Sequence, residues 1–416
     1  MSFLSLSGWI SMALVACVCL AACQQTGSTS YDPPNSTDTR TREISYQVKR
    51  TFRLEKGSIS ATNDFPEARL NDLFWEEDTL VALIKPENAP INSSPWYAFQ
   101  IWAKDSQEVS LTLRYEEAPH RYWPKMSRDG ETFMPMDSAD VAVDTLTGEA
   151  HLRLELGPER LWICGQEYFP SAHTYAWEEN LVQEFGARKK VAGYSTLGKP
   201  IHCLQLNAAK PVETLVIIGR QHPPEATGYI AMQHFVRQIL TDSLYAQPFL
   251  QRFQVLLFPM INPDGIDQGH WRHGAGGVDL NRDWEYFRQP EPKVVSDYLT
   301  GLQQSGSIKV WLGLDFHSTQ EDMYYIFDED LESNFPAFTR PWLAEIDSMF
   351  PEYEPVIEPG PMTSPSAKLF FFQELGAEFV TYEVGDETPR AFIQAKAEAA
   401  ARIMMRKMLE RTGMES

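Results

Sequence analysis

Two hydrophobic patterns divide the chain. Between residues 43 and 168, apolar and polar positions alternate in short runs, at 46–52, 96–102, 108–115 and 150–156, separated by clusters of Asn, Pro, Asp and Gly. Alternation of period two turns one face of a strand to a core and the other to water, and many short strands between turn residues predict an antiparallel β-sandwich. From residue 169 to 416 the pattern changes. The runs at 213–219, 253–258 and 310–314 are predominantly apolar, while 227–240 and 389–408 carry apolar residues at helical spacing. Strands apolar on both faces need cover on both sides. This half is therefore predicted as an α/β/α domain on a mixed sheet, with a further alternating strand from 379 that ends on Glu383.

The N-terminus fits neither pattern. Residues 9–23 form an apolar run too short for a comfortable membrane span and suited to a signal-peptide core, although no Lys or Arg precedes it. Leu20-Ala-Ala-Cys23 resembles the bacterial lipobox, which implies removal of residues 1–22, a lipid on Cys23 and an anchor in the cell envelope. Gln24, where inner-membrane retention favours aspartate, points to the periplasmic face of the outer membrane. Residues 23–42 are rich in Ser, Thr and Pro and read as a flexible tether. The net charge of −21 falls entirely on residues beyond 22 and argues against a nucleic-acid partner. Of five cysteines, Cys164 and Cys203 remain for the folded part; export permits a disulfide between them, and buried free thiols serve equally well.

The chemistry lies in the second half. The predicted strand 213–219 and helix 227–240 place His222-Pro-Pro-Glu225 at a strand-to-helix corner, which prolines stiffen because they lack an N–H and fit a first helical turn. His317, in Leu314-Asp-Phe-His317-Ser318, falls just past the end of another predicted strand. Sites in open α/β sheets gather outside the carboxyl ends of strands. Two imidazoles and a carboxylate are the donor set of a catalytic zinc, with the fourth position left to water, and that is the chemistry of hydrolysis.

Further motifs follow in order: Asn262-Pro-Asp-Gly265, Trp271-Arg272, Gly277-Val-Asp-Leu-Asn-Arg-Asp-Trp284, and Phe379-Val-Thr-Tyr-Glu383. With them, residues from about 170 to 412 resemble the zinc carboxypeptidases of the carboxypeptidase A-like superfamily. The resemblance implies one zinc ion per chain, held by His222, Glu225 and His317, with Glu383 as general base and Arg272 steadying the developing oxyanion. It implies that Asn281 and Arg282 grip the free C-terminal carboxylate of a peptide substrate, for which an arginine fork is well shaped. Asp279 would orient the first zinc histidine through its other ring nitrogen. Asn262–Gly265 reads as a structural tight turn. Ser94-Pro-Trp-Tyr-Ala-Phe-Gln100 and Val278-Asp-Leu-Asn-Arg-Asp-Trp284 narrow the likeness to the cytosolic carboxypeptidase branch, whose members place a β-sandwich before the catalytic domain.

Two details bear on specificity. Digestive relatives carry a mobile tyrosine shortly before the catalytic glutamate, and residues 358–366 here contain none. Lys368 stands where relatives place the residue at the floor of the pocket for the terminal side chain, and a lysine there implies a preference for acidic C-termini. Two alternatives stay open. One is a zinc amidohydrolase of the deacylase branch, disfavoured by the Asn281-Arg282 pair and the added sandwich. The other is a non-catalytic lipoprotein that binds peptides or glycans, disfavoured by the intact ligands, Arg272 and Glu383.

Overall fold

The computed structural model describes residues 43–413 except 208–211, 328–330, 352, 354–355 and 361–362. The expected signal peptide, Cys23 and tether lie outside the described residues. Residues 51–164 form two sheets. The first runs in the order Thr51–Leu54, Ile59–Thr62, Ala98–Ala103, Leu161–Cys164, Lys125–Ser127, Met134–Pro135. The second runs Asp72–Glu76, Thr79–Ile84, Gln107–Tyr115, Glu149–Leu156, Val141–Asp144. Phe52, Ile101 and Ile163 of one sheet and Leu80, Leu111 and Leu152 of the other share one apolar core. Alternation supplies it directly: in Glu149–Leu156 every second residue, from Ala150 to Leu156, is buried.

The sandwich departs from expectation twice. It is not wholly antiparallel, because Thr79–Ile84 pairs with Gln107–Tyr115 in parallel, Leu80 opposite Leu111. Between those strands the chain crosses to the first sheet as Ala98–Ala103, so it returns in the same direction. The run at 46–52 also yields a strand only from Thr51. Before it, Asn63 takes the place of a ladder partner, accepting from Arg50 N at 2.7 Å and donating to the Val48 carbonyl at 3.0 Å.

The second half is an eight-stranded mixed sheet, ordered Arg188–Tyr194, Pro200–Gln205, Gln254–Phe258, Glu213–Gly219, Lys309–Thr319, Glu378–Gly385, Met323–Ile326, Val356–Pro359. Its four central strands, from Gln254–Phe258 to Glu378–Gly385, are parallel. Leu215 and Ile217 pack with helices Ala226–Thr241, Thr339–Met349 and Arg390–Arg411 on one face. Val216 and Ile218 pack with Pro290–Gln304 and Ala367–Leu375 on the other. Both faces are covered, which is why these strands read as unbroken apolar runs. Cys164 and Cys203 are buried free thiols, one in each half. Among the described residues no helix is long and apolar enough to cross a membrane.

Candidate metal centre and active site

Strand Glu213–Gly219 delivers the chain to His222 and Glu225 at the entry to helix Ala226–Thr241. The next strand, Lys309–Thr319, does not stop at Leu314. It runs through His317 to Thr319, paired with Glu213–Gly219 as far as Phe316 and with Glu378–Gly385 to its end. The apolar signal ends early because Asp315 and His317, two apart and so on one face, carry site chemistry instead of core packing. Glu383 is the register partner of His317 on the adjacent parallel strand, two residues short of that strand's end.

Donor atoms of His222, Glu225 and His317 lie within 4.8 Å of one another, and all three residues are buried. Glu225 bridges the imidazoles, Oε1 to His222 Nδ1 at 2.8 Å and Oε2 to His317 Nδ1 at 2.7 Å. Each ring has a second carboxylate behind it, Asp279 on His222 Nε2 at 2.9 Å and Asp315 on His317 Nε2 at 2.7 Å. An outer carboxylate fixes the tautomer and turns the other nitrogen inward. The inward set is two imidazole nitrogens and a carboxylate, which fits zinc. Burial alone would raise the Glu225 carboxyl, yet the two imidazoles hold it below the usual carboxylate range. Burial disfavours a charged His317, and Asp315 and Glu225 overcome that and raise its pKa well above the ordinary value.

Asp315 was not picked out from the sequence, nor were Gln221 and Trp284, which complete its surroundings. Gln221 donates to Asp315 Oδ2 at 2.7 Å, and Trp284 Nε1 donates to Gln221 Oε1 at 2.9 Å. The available signal was Asp315-x-His317, a carboxylate and an imidazole on one face of a strand. Ser318 supports the helix carrying the ligands, since its hydroxyl accepts from Gly228 N at 2.9 Å and from Thr227 Oγ1 at 2.8 Å.

The remaining predicted residues converge on the same end of the sheet. Glu383 Oε2 is buried with no hydrogen-bond partner among the described residues. Burial raises the Glu383 carboxyl, while His317 nearby pulls the other way. Arg272 Nε donates to Asp279 Oδ2 at 2.7 Å, so Asp279 joins Arg272 to His222. The Arg282 guanidinium donates from Nη1 to the Asn281 carbonyl at 2.8 Å, and its Nε is buried without a partner among the described residues. Burial lowers its pKa, an effect opposed chiefly by Asp279. Asn281 is more tied down than a substrate grip requires. Its Nδ2 lies 3.2 Å from His317 Nε2 and its Oδ1 accepts from Ala367 N at 3.0 Å.

Lys368 sits buried in the first turn of Ala367–Leu375, donating to the Ile326 carbonyl at 3.0 Å with its ammonium 4.5 Å from the Phe327 ring centre. Asn262 corrects the tight-turn expectation: it caps helix Pro263–Gln268 by accepting from Gly265 N at 2.9 Å. Of the tyrosines near Glu383, Tyr324 and Tyr382 are core residues. Tyr325, on strand Met323–Ile326, is only half-buried.

The sequence signature of the zinc carboxypeptidase family matches residues 174–353. Cytosolic carboxypeptidase 2 of Xenopus tropicalis is 37% identical over 90 residues, 22% of this chain and 9% of that protein. The chain thus matches only a small part of that relative's length. Among solved structures, a metallo-carboxypeptidase from Burkholderia cenocepacia superposes with a TM-score of 0.68 at 18% identity, covering 85% of this chain and 99% of that one. A metallo-carboxypeptidase from Pseudomonas aeruginosa, solved with (2-guanidinoethylmercapto)succinic acid, gives 0.62 at 18% identity, covering 84% and 99%. At these identities the agreement is one of fold, and it extends through the sandwich as well as the α/β/α half.

Proposed function

We propose that this chain, which carries a zinc carboxypeptidase domain, removes the C-terminal residue of peptides by zinc-dependent hydrolysis. One observation carries the reading: the His222, Glu225 and His317 donors meet at the strand beside that of Glu383, whose buried Oε2 has no hydrogen-bond partner among the described residues. Zinc, when bound there, lowers the pKa of a coordinated water and polarises the scissile carbonyl. Glu383 Oε2 accepts the attacking water's proton and returns it to the leaving amine. Arg272, fixed through Asp279, faces the charge that develops on the carbonyl oxygen. Arg282 meets the substrate's terminal carboxylate with the Nε–H that has no partner among the described residues.

A peptide series tests this. Chelator should abolish activity, and amidating the C-terminus should cost about 2–5 kcal/mol in kcat/KM, because it leaves a desolvated Arg282 without its partner. Equal cleavage of free-acid and amide peptides would sink the exopeptidase reading, and cleavage of N-acyl amino acids in preference to peptides would favour an amidohydrolase. Binding without turnover would favour a recognition module. Ending the same peptides in Glu, Lys, Phe or Ala reads the finer proposal that Lys368 favours acidic termini.

We further propose that the protein is lipid-anchored at Cys23 and faces the periplasm, supported by Leu20-Ala-Ala-Cys23 behind an apolar, uncharged stretch. Wild type should fractionate with outer membrane and Cys23→Ser should not, and identical partition of the two would exclude the anchor.

A further inference from the structure

Arg272 belongs to the catalytic half, but the backbone that carries it is held by the sandwich. Glu87, fully buried, accepts three consecutive backbone N–H groups: Trp271 on Oε2 at 2.7 Å, and Arg272 and His273 on Oε1 at 3.0 and 2.7 Å. Its neighbour Asn88 accepts from His273 Nδ1 on Oδ1 at 2.6 Å and donates from Nδ2 to the Gly277 carbonyl at 3.1 Å. At the other end of the loop, Arg69 Nε donates to the Gly269 carbonyl at 2.6 Å. Gly269 sits against the sandwich so closely that a Cβ would stand 2.4 Å from the Ala68 carbonyl oxygen. The indole of Trp271 is counted within the sandwich's own core and donates to the Trp96 carbonyl at 3.0 Å.

We infer that Glu87 is a positioning residue, through which the sandwich sets the place of Arg272 in the active site. The inference rests on the carboxypeptidase reading. A carboxylate suits the task because both its oxygens accept, so three adjacent N–H groups converge on one side chain. Burial favours the neutral form, and His270, His273 and Arg69 oppose it and keep the Glu87 carboxyl down at about 2. Arg272 is thereby fixed at both ends, its backbone by Glu87 and its guanidinium by Asp279. Asp279 in turn holds His222. Two carboxylates therefore connect the sandwich to the metal centre. A side chain aimed at developing charge must keep its place closely, and misplacement by a fraction of its length is costly.

The test is Glu87→Gln, which keeps the shape but replaces one acceptor oxygen with a donor. In the variant kcat should fall about 10- to 100-fold with KM little changed and zinc content at the wild-type level. In an Arg272→Ala background the same change should alter kcat by less than about twofold, since the group it positions is gone. Amide hydrogen exchange across 269–277 should quicken about tenfold, the worth of one buried hydrogen bond to a charged group. A merely structural Glu87 would lower Tm and reduce kcat equally in both backgrounds, which overturns the inference. Unchanged exchange at 269–277 overturns it on its own with the hydrolytic reading intact. A wild type that hydrolyses no peptide overturns that reading, and the positioning role of Glu87 falls with it.

Discussion

Replacing Glu383 with glutamine should cut kcat by about 10²- to 10⁴-fold and leave the metal in place. The amide matches the carboxylate in shape, and Glu383 is not among the three donors that meet at the centre. What the substitution removes is the ability of Oε2 to take up a proton, in a position where burial leaves that atom without a partner among the described residues. His317→Ala contrasts with it, since it deletes a donor and should lose metal and turnover together. Metal content by atomic spectroscopy and kcat measured on the same preparations separate the two cases. Near-wild-type turnover by Glu383→Gln would remove Glu383 from the mechanism.

An equally large effect is expected where no chemistry is visible. A Cβ on Gly228 would lie 2.3 Å from the His317 carbonyl oxygen and 2.6 Å from its carbon. Those atoms belong to a central strand and cannot swing aside. Gly228→Ala therefore has to push helix Ala226–Thr241 off the sheet, moving Glu225 away from His317. Zinc affinity should fall by at least about tenfold, and stability by about 1–3 kcal/mol as for overpacked cores. Gly301→Ala is the control: outside its own helix backbone no described heavy atom stands within 4 Å of the added Cβ, and alanine at this helical position should stabilise by about 0.5–1 kcal/mol. A chelator competition titration and thermal melts on both variants check the pair. Unchanged zinc affinity in Gly228→Ala would show that helix and strand can separate without disturbing the ligands.

Much of this site could be read from sequence because its residues are few, polar and set in apolar surroundings. His222 and Glu225 stand between a buried strand and an amphipathic helix, so their placement followed from periodicity. Asp315 escaped notice because a carboxylate after an apolar run reads as the end of a strand, whereas here the strand continues and the carboxylate orients His317. Glu87 was beyond reach for a different reason. Its partners are backbone amides 184 to 186 residues away, and backbone groups leave no trace in side-chain patterns. The parallel pair in the sandwich was missed likewise, since alternation reports which face is buried and not which way a strand runs.

The order of strands bears on when the site can be completed during folding. Glu378–Gly385 lies between Lys309–Thr319 and Met323–Ile326, two strands made well before it. The slot between them can therefore be filled only by long-range pairing, which is slow to form. On the proposed reading, the donors His222, Glu225 and His317 lie outside that strand, whereas the proton acceptor Glu383 arrives with it. An intermediate lacking this strand would hold the donor set without the proton acceptor, so competence for the proposed hydrolysis would come with the strand that completes the sheet.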